Sequence, residues 1–315
     1  MPLFLDFELP AFLIGLLFGS FLNVCISRLP KHQSISKPRS HCPHCNHVIR
    51  WYDNIPLLSF VFLRAHCRHC KAPISWRYPF VELALGLWFA RIASDVHGLA
   101  IAWHAATPVW LYQHPDVYYQ AAILLSNFFV LGFLLIGLLV MDWETHKLPD
   151  AFTIPGICIG FLLACLQAMF LSPGQYVLYA DPNIHLGSMG PVNTTGNIFL
   201  TGPEHLVYGR ILAILFAGLL LVLIREAYKL LRNREGMGLG DAKLLAMIAA
   251  FLGFWPAMLA LFCGVILCSF YAITLLVRRK AHSLTRLPLG TFLAIGGLIA
   301  ALFSTPLITW YTGLF

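Results

Sequence analysis

The chain has 315 residues, of which 59% are hydrophobic and 11% charged, and it carries a net charge of +7. A soluble globular domain has about 25% charged and about 45–50% apolar residues. A soluble fold is therefore excluded, and the mean hydropathy of +0.75 marks a polytopic membrane protein. The basic excess does not point to nucleic acid: eighteen of the 21 Lys and Arg residues lie in 28–77, 225–243 and 278–286, and none lies in 95–118 or 172–205. That asymmetry is the signature of membrane orientation, with the basic segments in the cytoplasm.

Apolar runs of spanning or near-spanning length fall at 10–27, 79–94, 119–141, 152–171, 206–224, 242–254, 256–277 and 287–310. The expected fold is all-α and polytopic, with about eight transmembrane helices, because backbone groups in lipid must be satisfied within the segment. The second and sixth runs are short. An even count places both termini outside. The first run has Asp6 and Glu8 before it, lacks a basic leader segment, and ends in "SRLPK". It reads as an anchor, not a cleaved signal. The division expected is a first span over 1–27, a cytoplasmic four-cysteine loop domain over 28–78, and a seven-span body over 79–315. The outer segments 95–118 and 172–205 are turn-rich or interfacial, and no internal repeat is evident.

Within the loop, Cys42-x-x-Cys45 and Cys67-x-x-Cys70 form two knuckles separated by 21 residues. Paired knuckles present four thiolates to one tetrahedral ion, the usual structural zinc arrangement, although the spacing sits just beyond the common window. The alternatives are two disulfides or four unrelated thiols; a cytoplasmic loop keeps thiols reduced and disfavours the first. The neighbouring histidines, His41, His44, His47, His66 and His69, read as solvated polar residues. Cys25, Cys158, Cys165, Cys263 and Cys268 read as packing residues.

Carboxylates at the ends of spans are costly and informative. In "LLVMDWETHKLPDAFTIP", Asp142 ends the third span and Asp150 opens the fourth; in "REGMGLGDAKLLAM", Asp241 and Lys243 enter the sixth behind Gly236, Gly238 and Gly240. All lie at one face of the membrane. Two poorly solvated carboxylates side by side share a proton, and such a pair activates water and polarises a carbonyl without a nucleophilic side chain. Glycines at 238 and 240 suit unusual dihedrals or close approach of a substrate strand. The plainer readings are N-caps at Asp241 and Asp150, and an interfacial Asp142 paired with His146 or Lys147. Lys243 reads as a snorkelling cation or as a partner holding a carboxylate ionised. Glu82 reads as a partner of Arg77 or as a contact for a substrate amine.

"GSFLNVCISRLP", "CPHC", "NIPLLSFVFLRAHCRHC", "ISWRYPFVEL", "DWETHKLPD", "GMGLGDAKL" and "LPLGTFLAIGGL" occur in one order over most of 15–300. In these the chain resembles the type IV prepilin leader peptidases, which are also N-methyltransferases. The resemblance implies an eight-span inner-membrane aspartyl protease. Its acids are Asp142, opening D-x5-[LI]-P-D, and Asp241, ending Gly-x-Gly-Asp. It implies cleavage of type IV prepilins and type II secretion pseudopilins at the cytoplasmic face, followed by methylation of the new N-terminal amine from S-adenosylmethionine. The zinc loop and "RYPFVEL", with Glu82, belong to the part associated with methyl transfer. Cys25, Ser27, Leu239, Ala242 and Thr291 depart from the usual residues, Thr291 standing where proline is common. Classes set against this reading are a proton-coupled transporter, whose carboxylates belong near the midplane, and a non-catalytic pilus or secretion assembly platform.

Overall fold

The computed structural model describes residues 5–106, 116–170, 202–232, 238–278 and 287–312. Residues 107–115 of the expected loop 95–118, residues 172–201 of the loop 172–205, and Gly236 lie outside the described residues. Nine α-helices occur among those described: α1 Leu5–Arg28, α2 Leu58–Phe62, α3 Arg77–Ala106, α4 Asp116–Thr145, α5 Asp150–Phe170, α6 Gly202–Arg232, α7 Leu239–Leu252, α8 Phe254–Val277 and α9 Leu289–Thr312. Every expected span falls on one of them. Five described stretches are long and apolar enough to cross a membrane: Phe7–Lys31, Ala121–Thr145, Asp150–Met169, Leu206–Arg232 and Phe254–Val277. Their outward faces carry unbroken apolar stripes, such as Leu215, Leu219 and Leu223 on α6 and Phe262, Ile266, Phe270 and Ile273 on α8, all exposed. Stripes of this size belong against lipid.

Two boundaries differ from the sequence reading. The second span ends at 94 by hydropathy, but α3 continues to Ala106, because "DVHGLAIAWHAA" is rich in good helix formers and free of proline. The helix α6 runs eight residues past its apolar run to Arg232; this polar extension carries an Arg225–Glu226 ion pair.

The chain forms two compact units, Met1–Gly98 and Leu99–Phe315. In the first, α1 and α3 meet along a glycine seam. A Cβ on Gly19 would lie 2.6 Å from Glu82 Cα, and one on Gly15 2.8 Å from Gly86 Cα, so only glycine permits this approach. Between the two helices, residues 29–76 contain two 3-10 turns, α2 and the knuckles.

In the second unit α7 is the hub, touching α4, α5, α6, α8 and α9. It is apolar on all sides and buried from Leu244 through Leu252, as expected of a helix enclosed by others. Its 14 residues rise about 21 Å, short of the roughly 30 Å hydrocarbon layer. A helix of this length cannot reach both faces of such a layer, and five other helices enclose it. At its C-terminal end the buried Arg210 of α6 donates to Ala249 O (3.4 Å), and Gly253, with φ +93°, turns the chain directly into α8.

Candidate active site and metal centre

Asp142 lies in the last turn of α4 and Asp241 in the first turn of α7. Both are buried, at 6% and 8% exposure, and their charges act on each other. The sequence thus brings together two carboxylates 99 positions apart. Gly238 is the N-cap of α7, and Asp241, three residues on, accepts the Gly238 N–H. This is the backward half of a capping box. Asp142 Oδ2 accepts both the N–H of Thr291 (2.7 Å) and its hydroxyl (3.0 Å). Its bonds go to α9 instead of to His146 or Lys147. At position 291 the resemblance expects proline, which has neither donor; this chain supplies two.

Leu148 sets the approach of these segments. A Cβ on Gly240 would sit 3.0 Å from Leu148 Cβ, and one on Gly290 2.8 Å from Leu148 Cδ1 and 3.0 Å from Asp142 Oδ2. The leucine of "KLPD" is a wedge against two glycines on α7 and α9, which explains why an aliphatic residue belongs in that motif. The conformational role expected for Gly238 and Gly240 is not used: Gly238 is extended (φ −77°, ψ 151°) and Gly240 is helical. Gly240 serves close approach. A Cβ on Gly238 would make ordinary contacts, 3.8 Å from Gly240 N and 3.9 Å from Asp241 Oδ2.

Lys243 pairs with Asp150 across α7 and α5 (Nζ–Oδ1 2.6 Å), so neither joins the acid pair directly. The buried Cys268 of α8, read from sequence as packing, is close enough to feel the charges of both Asp241 and Asp142; nothing in its sequence context signals this. Glu82 is buried in the first unit, where its Oε2 accepts the Leu57 N–H (2.8 Å). The Arg77 guanidinium, its partner in one reading of the sequence, lies over the Tyr78 ring.

The four loop thiols converge. The sulfurs of Cys42, Cys45, Cys67 and Cys70 all lie within 4.8 Å of one another, and Cys42 Sγ is 3.8 Å from Cys70 Sγ. A disulfide needs about 2.05 Å, and all four are free. A tetrahedron with metal–sulfur bonds of about 2.3 Å has edges of about 3.8 Å, so these residues fit a metal ion. The knuckles are built alike, an internal repeat the sequence reading did not see. Cys42 N–H bonds His47 O and Cys67 N–H bonds Ala72 O; Asn46 and Lys71 then turn through left-handed dihedrals. Its sequence signal is His-Cys-x-His-Cys, at 41–45 and 66–70. The N–H groups of Cys70 and His69 point at Cys67 Sγ and hold its thiol below the usual range, while the neighbouring thiols push Cys70 up, so the four sulfurs share their protons as a cluster. Beside it Arg68 grips Asp53 with two nitrogens (2.6 and 3.0 Å) and holds that carboxyl below the usual range.

Comparison with known proteins agrees with both parts. Residues 13–96 match the bacterial Peptidase A24 N-terminal domain, and residues 183–273 match the type IV leader peptidase family. A protein of Aeromonas hydrophila named prepilin leader peptidase/N-methyltransferase is 33% identical over 95% of this chain and 92% of its own. One of the same name from Stutzerimonas stutzeri is 30% identical over 98% and 94%. A third, from Myxococcus xanthus, is 43% identical over 52% of this chain and 41% of its own. No solved structure matches the chain. The chain belongs to the prepilin leader peptidase/N-methyltransferase family.

Proposed function

We propose that this protein cleaves the leader peptide from type IV prepilins and related pseudopilins and then methylates the amine that cleavage exposes. The observation that carries the first activity is the buried pairing of Asp142 and Asp241 at two helix ends. In this reading the pair holds one proton. Asp142, facing the two Thr291 donors, is the ionised partner and takes a proton from the attacking water; Asp241 holds the shared proton and donates to the scissile carbonyl oxygen. The substrate strand approaches at Gly238, which carries no side chain beside Asp241. Leu148, Gly240 and Gly290 fix the spacing of the two acids, and the Lys243–Asp150 pair ties α7 to α5 behind them.

The second activity belongs to the first unit. Cys42, Cys45, Cys67 and Cys70 hold a structural zinc ion that folds the loop, and Glu82 faces the substrate amine. S-adenosylmethionine supplies the electrophilic methyl group. The enzyme resides in the bacterial inner membrane with the acid pair and metal loop at the cytoplasmic face, where a basic leader meets an apolar pilin helix.

Intact-mass analysis of a prepilin incubated with the purified enzyme and S-adenosylmethionine tests the reading. Loss of the leader plus one methyl group is expected. An unchanged mass with folded enzyme and cognate substrate would refute it.

A further inference from the structure

The first unit contains a cavity of about 530 Å³, lined among others by Asn23, Ser27, Arg77, Tyr78 and Glu82. Its size suits a small ligand or a peptide end. The peptidase chemistry makes no use of it.

One wall of this cavity is formed by Asn23 and Ser27 of α1 and Tyr78 and Glu82 of α3, next to the glycine seam. Gly19 on α1 lies against Glu82 on α3, and one turn further along α1 Asn23 lies against Tyr78, one turn back along α3. Asn23 Nδ2 donates to the Tyr78 carbonyl (3.0 Å). That bond fixes the orientation of the amide, because its nitrogen must face the carbonyl. The other end, Asn23 Oδ1, is buried without a hydrogen-bond partner, on a residue only 2% exposed. A buried acceptor left unpaired is costly, and native proteins keep such atoms where a ligand or a reaction uses them. Within about one helical turn of it is the buried carboxylate of Glu82, held by the Leu57 N–H and by Ser20. Arg28, Lys31, Arg68 and Arg77 also line the cavity, but at the wall formed by Asn23 and Glu82 one neutral and one anionic acceptor select a group that is cationic and carries several N–H donors. A primary aliphatic ammonium meets both requirements.

We propose that Asn23 and Glu82 together form the cradle for the free N-terminal amine of the leader-less pilin, and so define the methyl-acceptor site. This rests on the methyltransferase reading above and names the residues that bind its substrate. Asn23 Oδ1 accepts one N–H and aims the nitrogen. The Glu82 carboxylate takes one proton from the ammonium, freeing the lone pair. The nitrogen then forms the new N–C bond to the methyl carbon of the sulfonium donor, as the C–S bond breaks and its electron pair stays on sulfur. The products are a secondary ammonium, a neutral thioether and a protonated Glu82, which returns its proton to solvent.

Binding is measured first with no methyl donor, using full-length enzyme in lipid nanodiscs and a fluorescent peptide bearing the mature pilin N-terminus. The free-amine peptide should bind wild type about tenfold or more tightly than its N-acetylated form, and Asn23→Ala should weaken the free-amine peptide by about tenfold. In steady-state methylation Asn23→Ala should raise KM for the peptide and leave KM for S-adenosylmethionine unchanged, while Asn23→Asp, which keeps an acceptor, retains most of the affinity. Leader cleavage by each variant reports whether it is folded; should Asn23→Ala fail to fold, the acetylation comparison on wild type decides. Equal binding of acetylated and free peptides overturns the assignment, as does an unaltered peptide affinity in folded Asn23→Ala. A raised KM for the methyl donor alone also overturns it, giving the cradle to the donor's own ammonium. Selective amine binding by an enzyme that transfers no methyl group would instead refute the methyltransferase reading and leave the amine site standing.

Discussion

From residue 40 to residue 74 only Cys42, Pro56 and Ser59 are buried, whereas α7 is buried at every position from 244 to 252. The loop of the first unit has almost no apolar interior and relies on directed bonds: four converging thiols, paired knuckle hydrogen bonds and the Arg68–Asp53 fork. The second unit packs by contact between small residues, where Gly264 of α8 and Gly296 of α9 let the helices touch backbone to backbone. The contrast follows from the two solvents. In water a segment with too few apolar residues folds when a ligand holds it. In lipid no hydrophobic force draws helices together, so close packing of small residues must do so.

Removing the metal should break this contrast most severely. Structural sites of this kind bind with free energies on the order of 10 kcal/mol. A strong chelator, or Cys67→Ser, should make residues 28–76 sensitive to protease and abolish methylation, while leader cleavage by the second unit persists. Metal content and limited proteolysis read the first effect, and mass analysis the second. Normal methylation by an enzyme with all four loop cysteines changed to serine would detach the loop from that activity.

The converse break comes next in size. Asn at 142 or 241 should lower cleavage about 1000-fold, within the range for removing an acid or base, with the fold intact and methylation of a pre-cleaved peptide retained. Full cleavage by both variants would dismiss the pair. A packing lesson follows with Gly296→Ala. The added Cβ would press into Ala260 O and lie 3.0 Å from Gly264 N, forcing α8 and α9 apart at a cost of about 1–3 kcal/mol. A lower thermal midpoint in detergent is expected, and an unchanged one would mean the helices adjust freely. Thr291→Val should act more gently. It deletes the hydroxyl donated to Asp142 but keeps the N–H, so cleavage should fall about tenfold with methylation untouched; equal loss of both activities would indicate general damage.

Much of this architecture was legible in the chain itself. The spans follow from apolar run length, the metal knuckles from paired Cys-x-x-Cys, and the two acids from carboxylates where lipid should exclude them. What was hidden depends on segments far apart in sequence. Asp142 and Thr291 are 149 positions apart, and no local pattern pairs them. Nothing local explains the leucine of D-x5-[LI]-P-D, because the partners of Leu148, Gly240 and Gly290, come from two other helices. Asn23 is one polar residue within an apolar run and carries no local signal; only the bond to Tyr78, 55 positions away, exposes its unpaired oxygen. Lys243 and Asp150 were each placed near the acids, and their bond to each other turns two candidate reactive groups into a brace.

The shortness of α7 carries a further consequence, concerning supply. Hydrolysis consumes water, which the hydrocarbon layer does not hold. With the acid pair at the cytoplasmic face, as proposed above, a helix roughly 9 Å shorter than that layer, with Asp241 in its first turn, would let the aqueous phase dip toward the acids while the apolar helices around it keep the thickness of the bilayer. The reaction can then draw its water from the side on which the leader lies, and the pilin's apolar segment need never leave the lipid.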